Sequence, residues 1–315
     1  MNPLVVRHLA FHYVVPEGTR PPGMSCTPQR LEEHIKWLQE NEFEIMTCGE
    51  VGNYLTEDDI TLLRKHATLS FDDSTRDHYT NVLPILKKYG VKGTFFVPTC
   101  ILRGIFPPVM GLQFLIKEKG AETVLTEVLP NILKGTFYSR LLEEGVLNIP
   151  DDYRNSGESD IAGKIKTIFN DTVPPHLQIE AMEEALSFYF PKVKMEDLVA
   201  DWFANPSQLR TMGDAGMEIA SHTVNHQRLG LMSRDEVCFE AEKSNSDLFT
   251  FLRIRTGVFG WTFGGEFKSS IKGGVKRSYK TAWNFYHSLE EVPEGDIYAD
   301  WMNIPRVNEA AYRLD

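Results

Sequence analysis

At 315 residues the chain is long enough for one large α/β domain, or for a core domain carrying a substantial insertion. Its 42% hydrophobic and 11% aromatic content is that of an ordinary soluble protein, and a formal charge of -11 disfavours nucleic acid or an anionic membrane surface as the main partner. Four cysteines, Cys26, Cys48, Cys100 and Cys238, lie far apart without a CxxC or other zinc-knuckle spacing, which argues against a disulfide framework.

The opening residues MNPLVVRHLAFHYVV interrupt their apolar run with Arg7, His8 and His12, and so lack the basic stretch and continuous apolar core of a signal peptide. No later run reaches transmembrane length. Taking Met1 as the native start, cytoplasmic residence is the expectation. Residues 4 to 15 read as a first strand, followed by the turn-rich loop VPEGTRPPGMSCTP. Thr27 is placed to cap a helix with Pro28 at its first position and Leu31, Ile35 and Leu38 on one face. ATLSF (67 to 71) is a strand, DSTRDHYTNVLPILKKYG contains a helix ending at Gly90, and KGTFFVPT is a second strand. That order is the βαβ unit of a parallel sheet, either doubly wound or closed into a barrel.

From about residue 110 to about 205 the strand signals vanish. GLQFLIKEKGAETVLTEVL, FYSRLLEEG, SDIAGKIKTIFN and PHLQIEAMEEALSFYF show helical spacing, the last with Leu177, Ile179, Met182, Leu186 and Phe190 as an apolar stripe. The expectation is a helical insertion over 111–205 in a catalytic core of 1–110 and 206–315. Strands resume with MEIAS (217 to 221), GVFGW and WMNIPRV; there is no internal repeat.

Two signals carry chemistry, and each follows a predicted strand, where α/β folds place ligands. The first is Asp72-Asp73. Adjacent side chains on an extended strand point to opposite faces, but at a strand end the chain turns, and two carboxylates can then serve one cavity in different roles. The bland alternative is a helix cap by Asp73 or Ser74, with Ser74 and Asp77 spaced as a capping box. The second signal is His222-Thr-Val-Asn-His226. Histidines at i and i+4 share a helix face with Cβ atoms about 5 to 6 Å apart, and both imidazoles can then reach one cation at about 2.0 to 2.1 Å. Alone, this is as well a surface pair. Together, one carboxylate and two imidazoles make a facial set that leaves positions open for water and substrate.

LSFDDSTRDHYTNVLPILKKYGVKGTFFVPT resembles the first motif of the polysaccharide deacetylases (NodB homology, carbohydrate esterase family 4), and IASHTVNHQRLG resembles their second. FHYVVPEGT and TPQRLEEHIKWLQENEFEIMTCGEV are similar to the opening of members whose motifs are circularly permuted. The resemblance covers both ends of the chain and not the insertion. It implies a deformed (β/α) barrel of about seven strands, with Asp72 as catalytic base and Asp73, His222 and His226 as ligands of one divalent metal. Zinc suits two imidazoles and a carboxylate; iron, cobalt, nickel or manganese are alternatives. By resemblance to the permuted members, His12 is the general acid, with Phe11 in place of a tyrosine, and Arg306 of Pro305-Arg306 orients Asp72 and keeps it ionised. His287 is the reserve acid, and His8, His34, His66, His78 and His176 fall outside any motif.

VFGWTFGG resembles a third motif, with Trp261 and Phe263 as candidate substrate-binding aromatics. It departs from the family in Thr262, where proline is usual, and in Gly260, where many members have arginine. Ser74 stands where the family has glycine, a change in backbone freedom rather than ligand chemistry. The expected activity is hydrolysis of an N-acetyl or similar N-acyl group from an amino sugar, on a nucleotide-linked, lipid-linked or oligosaccharide substrate made for a surface glycan. The inserted helices then form part of the substrate cleft. Rival readings are a hydrolase of non-sugar amides or cyclic imides, and a non-catalytic sugar-binding protein on a degenerate scaffold.

Overall fold

A computed structural model of the chain describes residues 5–19, 21, 23–56, 65–133, 160–293 and 296–314. Its strands are β1 (Val5–Phe11), β2 (Tyr13–Val14), β3 (Ser25–Cys26), β4 (Glu44–Met46), β5 (Lys65–Phe71), β6 (Thr94–Val97), β7 (Glu218–Ser221), β8 (Val258–Gly260), β9 (Thr281–Tyr286) and β10 (Ile304–Asn308). Seven of them, in the order β1-β10-β9-β8-β7-β6-β5, form a parallel ring that closes where β5 pairs back onto β1, from Val5↔Lys65 to Phe11↔Phe71. β4 is an eighth strand outside the ring. It pairs with the first half of β5 (Glu44↔His66 to Met46↔Thr68), while β6 takes the second half (Ser70↔Thr94, Phe71↔Phe95). Closure leaves the ring strands no free edge.

The period-two alternation of the strands sorts their side chains between two environments. Leu9, Phe11, Leu69, Phe71, Phe95, Val97 and Ile219 join the cluster under the helices, whereas Phe96, Ala220, Trp283 and Ile304 belong to a second one inside the ring. The interior is also polar. His8 and His66 turn inward and share the hydroxyl of Tyr298, at 2.9 and 2.5 Å from their Nε2 atoms. They, like His34 and His78, are buried structural histidines.

The first helix runs Pro28–Glu40 with Thr27 Oγ1 accepting from Arg30 N, and Leu31, Ile35 and Leu38 are buried as their spacing predicts. The helix before Gly90 also ends there, with Gly90 in the left-handed region (φ 65). The strand expected over 4 to 15 is divided: β1 stops at Phe11, and the chain leaves the ring at His12. β4 and β9 are strands that the sequence reading leaves unassigned. β4 has only three residues, and TAWNFY in β9 is buried throughout, so it shows no alternation to read.

Between β6 and β7 run the helices Pro108–Lys119, Asp160–Thr172, Pro175–Tyr189, Met195–Trp202 and Pro206–Asp214, among shorter turns. FYSRLLEEG lies outside the described residues. The stripe expected on the third of these helices is corrected in one place: Leu177 is 40% exposed and Gln178 is buried, its amide donating to Val173 O at 2.9 Å. Among the described residues no helix is long and apolar enough to cross a membrane.

Candidate active site

Asp72 and Asp73 reach one cavity because the chain reverses immediately after β5. Asp73 and Ser74 take positive φ values of 74 and 56, a conformation that costs about 1–2 kcal/mol for an L residue and is stored here at the strand end. The turn is pinned by the far end of the inserted helices: Ala204 N donates to Ser74 O, and Thr75 bridges Phe203. No capping box forms, since among the described residues the buried Ser74 Oγ has no hydrogen-bond partner and Asp77 Oδ2 accepts instead from Val14 N at 2.7 Å.

His222 and His226 do converge, but not on a helix face. Residues 222 to 226 form a loop in which Thr223 and His226 have φ of 66 and 52. His226 N donates to Thr223 Oγ1 (2.9 Å), and Glu240, from the helix Arg234–Asp247, accepts from the backbone of Val224 (2.7 Å) and Asn225 (3.3 Å). The spacing of four therefore signals a tight anchored loop rather than one helical turn. The two rings lie 4.8 Å apart at 73°.

His222 Nδ1 lies 2.9 Å from Gly260 O and donates to it, which fixes the tautomer and leaves Nε2 aimed at the carboxylates, 3.7 Å from Asp73 Oδ1 and 3.8 Å from Asp72 Oδ2. His226 Nε2 is 3.0 Å from Asp73 Oδ1, and the three donor atoms all lie within 4.8 Å of one another. Donors bound tetrahedrally at 2.0–2.1 Å sit about 3.3 Å apart. Among the described residues the nitrogens beside the buried Asp73 Oδ1 are those of His222 and His226, neither meeting it in good hydrogen-bond geometry. The residues thus fit a divalent cation on donor chemistry and spacing.

Asp72 is set apart from its neighbour by Arg306, which is fully buried and donates through Nη1 and Nη2 to the two carboxylate oxygens at 2.6 and 3.0 Å. The same Nη1 reaches Ser70 Oγ at 3.0 Å, and the guanidinium lies 4.5 Å over Phe96. Burial pushes the Asp72 carboxyl up, but the Arg306 charge, with His222 and the Arg306 hydrogen bonds, more than offsets this and holds it below the ordinary carboxylate value. Asp73 is held further down, burial being outweighed by His226. Burial also pushes the His222 imidazole down to about 4 against the opposing pull of Asp72, so the ring is uncharged at neutral pH. Gly260 explains its own departure from the family pattern. A Cβ there would stand 2.6 Å from Phe96 and 3.0 Å from His222 Nδ1, so no side chain fits, and the guanidinium beside Asp72 arrives from β10 instead.

His12 lines the cavity at the point where β1 ends, its ring edge-on to Phe285 at 5.1 Å. Its backbone oxygen accepts from His78 Nε2 (2.6 Å), and its buried Nδ1 has no partner among the described residues. Burial lowers its pKa, opposed in part by Asp72 and Asp73. His287 packs on the same Phe285 at 5.0 Å and also lines the cavity. Phe263 (φ 64) stands edge-on to His226 at 5.1 Å and is partly exposed to the cavity. Trp261 is a different matter. Its indole is fully buried, stacked on Phe267 and donating Nε1 to Met302 O at 2.9 Å, so it is wall rather than an open stacking platform. The cavity holds about 300 Å³ and is also lined by Gln113, Lys166, Thr167 and Asn170 from the inserted helices. The sequence reading misses these, although 163, 166, 167 and 170 share one face of a helix.

The profile of the polysaccharide deacetylase family matches residues 59–101 and 184–281. YxkH of Bacillus subtilis (strain 168), a protein assigned to the polysaccharide deacetylases, is 38% identical over 69 residues, 22% of this chain and 24% of its own. The poly-beta-1,6-N-acetyl-D-glucosamine N-deacetylase of Staphylococcus aureus is 28% identical over 89 residues, 28% of this chain. The match thus spans about a quarter of the first relative and 30% of the second. The structure of the Streptococcus pyogenes deacetylase PplD, in complex with acetate, superposes with a TM-score of 0.55 at 15% identity, covering 98% of this chain and 95% of that one; this likeness is one of fold.

Proposed function

Because this chain carries a polysaccharide deacetylase domain, we propose that it hydrolyses the N-acetyl, or a similar small N-acyl, group of an amino sugar, with one divalent metal held by Asp73, His222 and His226. The observation that carries the reading is the division of one carboxylate pair. Asp73 lies among the imidazole nitrogens of His222 and His226, while Asp72, one residue earlier, is clamped by a buried arginine and faces the same cavity.

When bound, the cation supplies Lewis-acid charge and an acidified water. Hydrolysis breaks the acyl C–N bond and forms a C–O bond, leaving a carboxylate and a free amine. Asp72 is the base that takes the water's proton: Arg306 keeps it ionised, and Oδ2 faces the ligand cluster at 3.8 Å from His222. The departing nitrogen needs a proton, and we assign its delivery to His12, whose Nδ1 has no partner among the described residues and whose charged form is favoured by Asp72 and Asp73 against the burial that lowers its pKa. Phe263 offers an apolar face beside His226 for a sugar ring. Two imidazoles and a carboxylate suit zinc among divalent metals.

The test is elemental analysis of the purified protein coupled to a free-amine assay on nucleotide-linked, lipid-linked and oligosaccharide acetamido sugars. The expected result is one metal per chain and acetate release. Asp72→Asn is expected to retain the metal and lose roughly 10²–10⁴-fold in kcat. Stoichiometric metal without hydrolysis of any acetamido sugar overturns the reading.

A further inference from the structure

The helix Arg234–Asp247 buries two stripes of different chemistry. Val237 and Ala241 join the apolar cluster of Phe259 and Trp261, while Glu240, Ser244 and Asp247, at i, i+4 and i+7, are only 3%, 0% and 2% exposed. An inward stripe at this spacing is ordinarily apolar, and a buried carboxylate is costly unless its oxygens are paired. All three side chains find partners at or beside the histidine loop. Ser244 Oγ accepts from the hydroxyl of Ser221, the residue before His222, at 2.8 Å. Asp247 accepts from Thr99 Oγ1 at 3.1 Å and Arg103 Nη1 at 2.8 Å, and the backbone N–H groups of Thr99 and Cys100 donate in turn to Thr223 O (3.1 Å) and Val224 O (2.9 Å). Glu240 takes the opposite polarity of the same loop: it accepts from Val224 N, Asn225 N and the Asn225 side-chain amide. The peptide groups between the two histidines are thus held through N–H by Glu240 and through C=O by the segment that Asp247 anchors.

This hold answers a local need. Thr223 is β-branched and sits at φ 66, and His226 at φ 52, conformations that persist only where the surroundings over-determine them. We infer that Glu240 is a positioning residue for the metal site: its carboxylate, with Ser244 and Asp247 beside it, keeps the loop in the backbone conformation that aims His222 and His226 at a common cation. The inference rests on the metal-site reading above and assigns to it a residue outside the ligand set, which does not line the cavity. Glutamine at this position keeps one acceptor for the two backbone N–H groups, and the Asn225 amide can turn to offer its Oδ1, which has no partner among the described residues, to the new amide. Leucine keeps much of the volume but offers no acceptor, so both N–H groups are left unpaired.

The experiment measures zinc affinity of the full chain by competition with a chelator, together with the Tm of the metal-free protein. It compares wild type with Glu240→Gln, Glu240→Leu, Ser244→Ala and, as a control on the apolar stripe of the same helix, Val237→Ala. Glu240→Leu is expected to bind zinc about tenfold more weakly or worse, and Glu240→Gln to recover most of that loss. Val237→Ala should lower Tm and leave zinc affinity unchanged, because it opens a cavity without touching the loop. A merely structural carboxylate would lower Tm in Glu240→Leu and leave the affinity of the folded protein alone. Wild-type affinity in Glu240→Leu therefore overturns the inference, as does an equal loss of affinity in Val237→Ala. Should Glu240→Leu yield no folded protein, Ser244→Ala decides: a loss of about threefold supports the inference and wild-type affinity overturns it. A wild-type chain that binds no zinc defeats the metal-site reading and the inference together.

Discussion

Arg306 decides what Asp72 is. A buried carboxylate without a partner takes up a proton, and a buried guanidinium is costly on its own, yet the two oxygens of Asp72 and two nitrogens of Arg306 meet at 2.6 and 3.0 Å with Ser70 as a third acceptor. Removing the cation while keeping the volume, as in Arg306→Met, leaves an uncompensated buried carboxylate. The expected loss is about 3–5 kcal/mol of stability in chemical denaturation. The surviving activity should show its acid limb moved to higher pH, because Asp72 must be ionised to act as base and burial then raises its pKa unopposed. An acid limb at the wild-type position would show that Asp72 does not depend on Arg306 for its charge. This role was legible in the sequence only through the Pro305-Arg306 resemblance, since nothing local links a residue on the last strand to one 234 positions earlier.

At the scale of the element, two loops and one glycine do what the strands do not. The left-handed pair Asp73–Ser74 turns both carboxylates to one side, and Glu240 holds the histidine loop by its backbone. The i, i+4 spacing of the histidines was readable, and its convergence is real, but a helical turn is the wrong cause: Thr223 and His226 at positive φ bring the rings together. Gly260 is where β8 passes beneath this loop, accepting from His222 Nδ1 while its missing side chain makes room for Phe96. Gly260→Ala is expected to cost about 1–3 kcal/mol by overpacking. It should also weaken metal affinity, measured by competition with a chelator, because His222 must shift. Wild-type affinity in that variant would mean that the ring is not fixed from behind.

For the whole molecule, the cluster of Asp72, Asp73, His222 and His226 is a concentration of charge and desolvated imidazole at one end of a closed ring, and it ties stability to pH and, on the proposed function, to metal. His222 has a folded pKa of about 4 against an ordinary value near 6.5, so the unfolded chain binds its proton first and stability falls as pH drops from about 6.5 to about 4. Asp72 and Asp73, both held below their ordinary value, add a further loss as pH falls below about 3.9. Thermal melts of chelator-treated protein are expected to show declining Tm across the first window. Added zinc should raise Tm at neutral pH, the stability gained being about 2.7 kcal/mol at 100 times its Kd, with the gain fading towards pH 4 as protons displace the cation. A Tm that is insensitive to both would argue against a neutral, buried His222.

The amino-acid sequence by itself determined the alternation that builds the ring strands, the caps of the first helix and of the one ending at Gly90, and the residue types of the site, because each depends on neighbours within a few positions. It also placed Asp72-Asp73 and His222…His226 after strands, where a parallel α/β fold gathers chemistry. Only the tertiary structure decided which carboxylate meets the arginine, why Gly260 can bear no side chain, that Trp261 is wall while Phe263 is open, and that the helix Asp160–Thr172 lines the same cavity as the carboxylates and histidines. Those outcomes are set by packing between elements far apart in the chain, where side-chain volume and desolvation act and local spacing is silent.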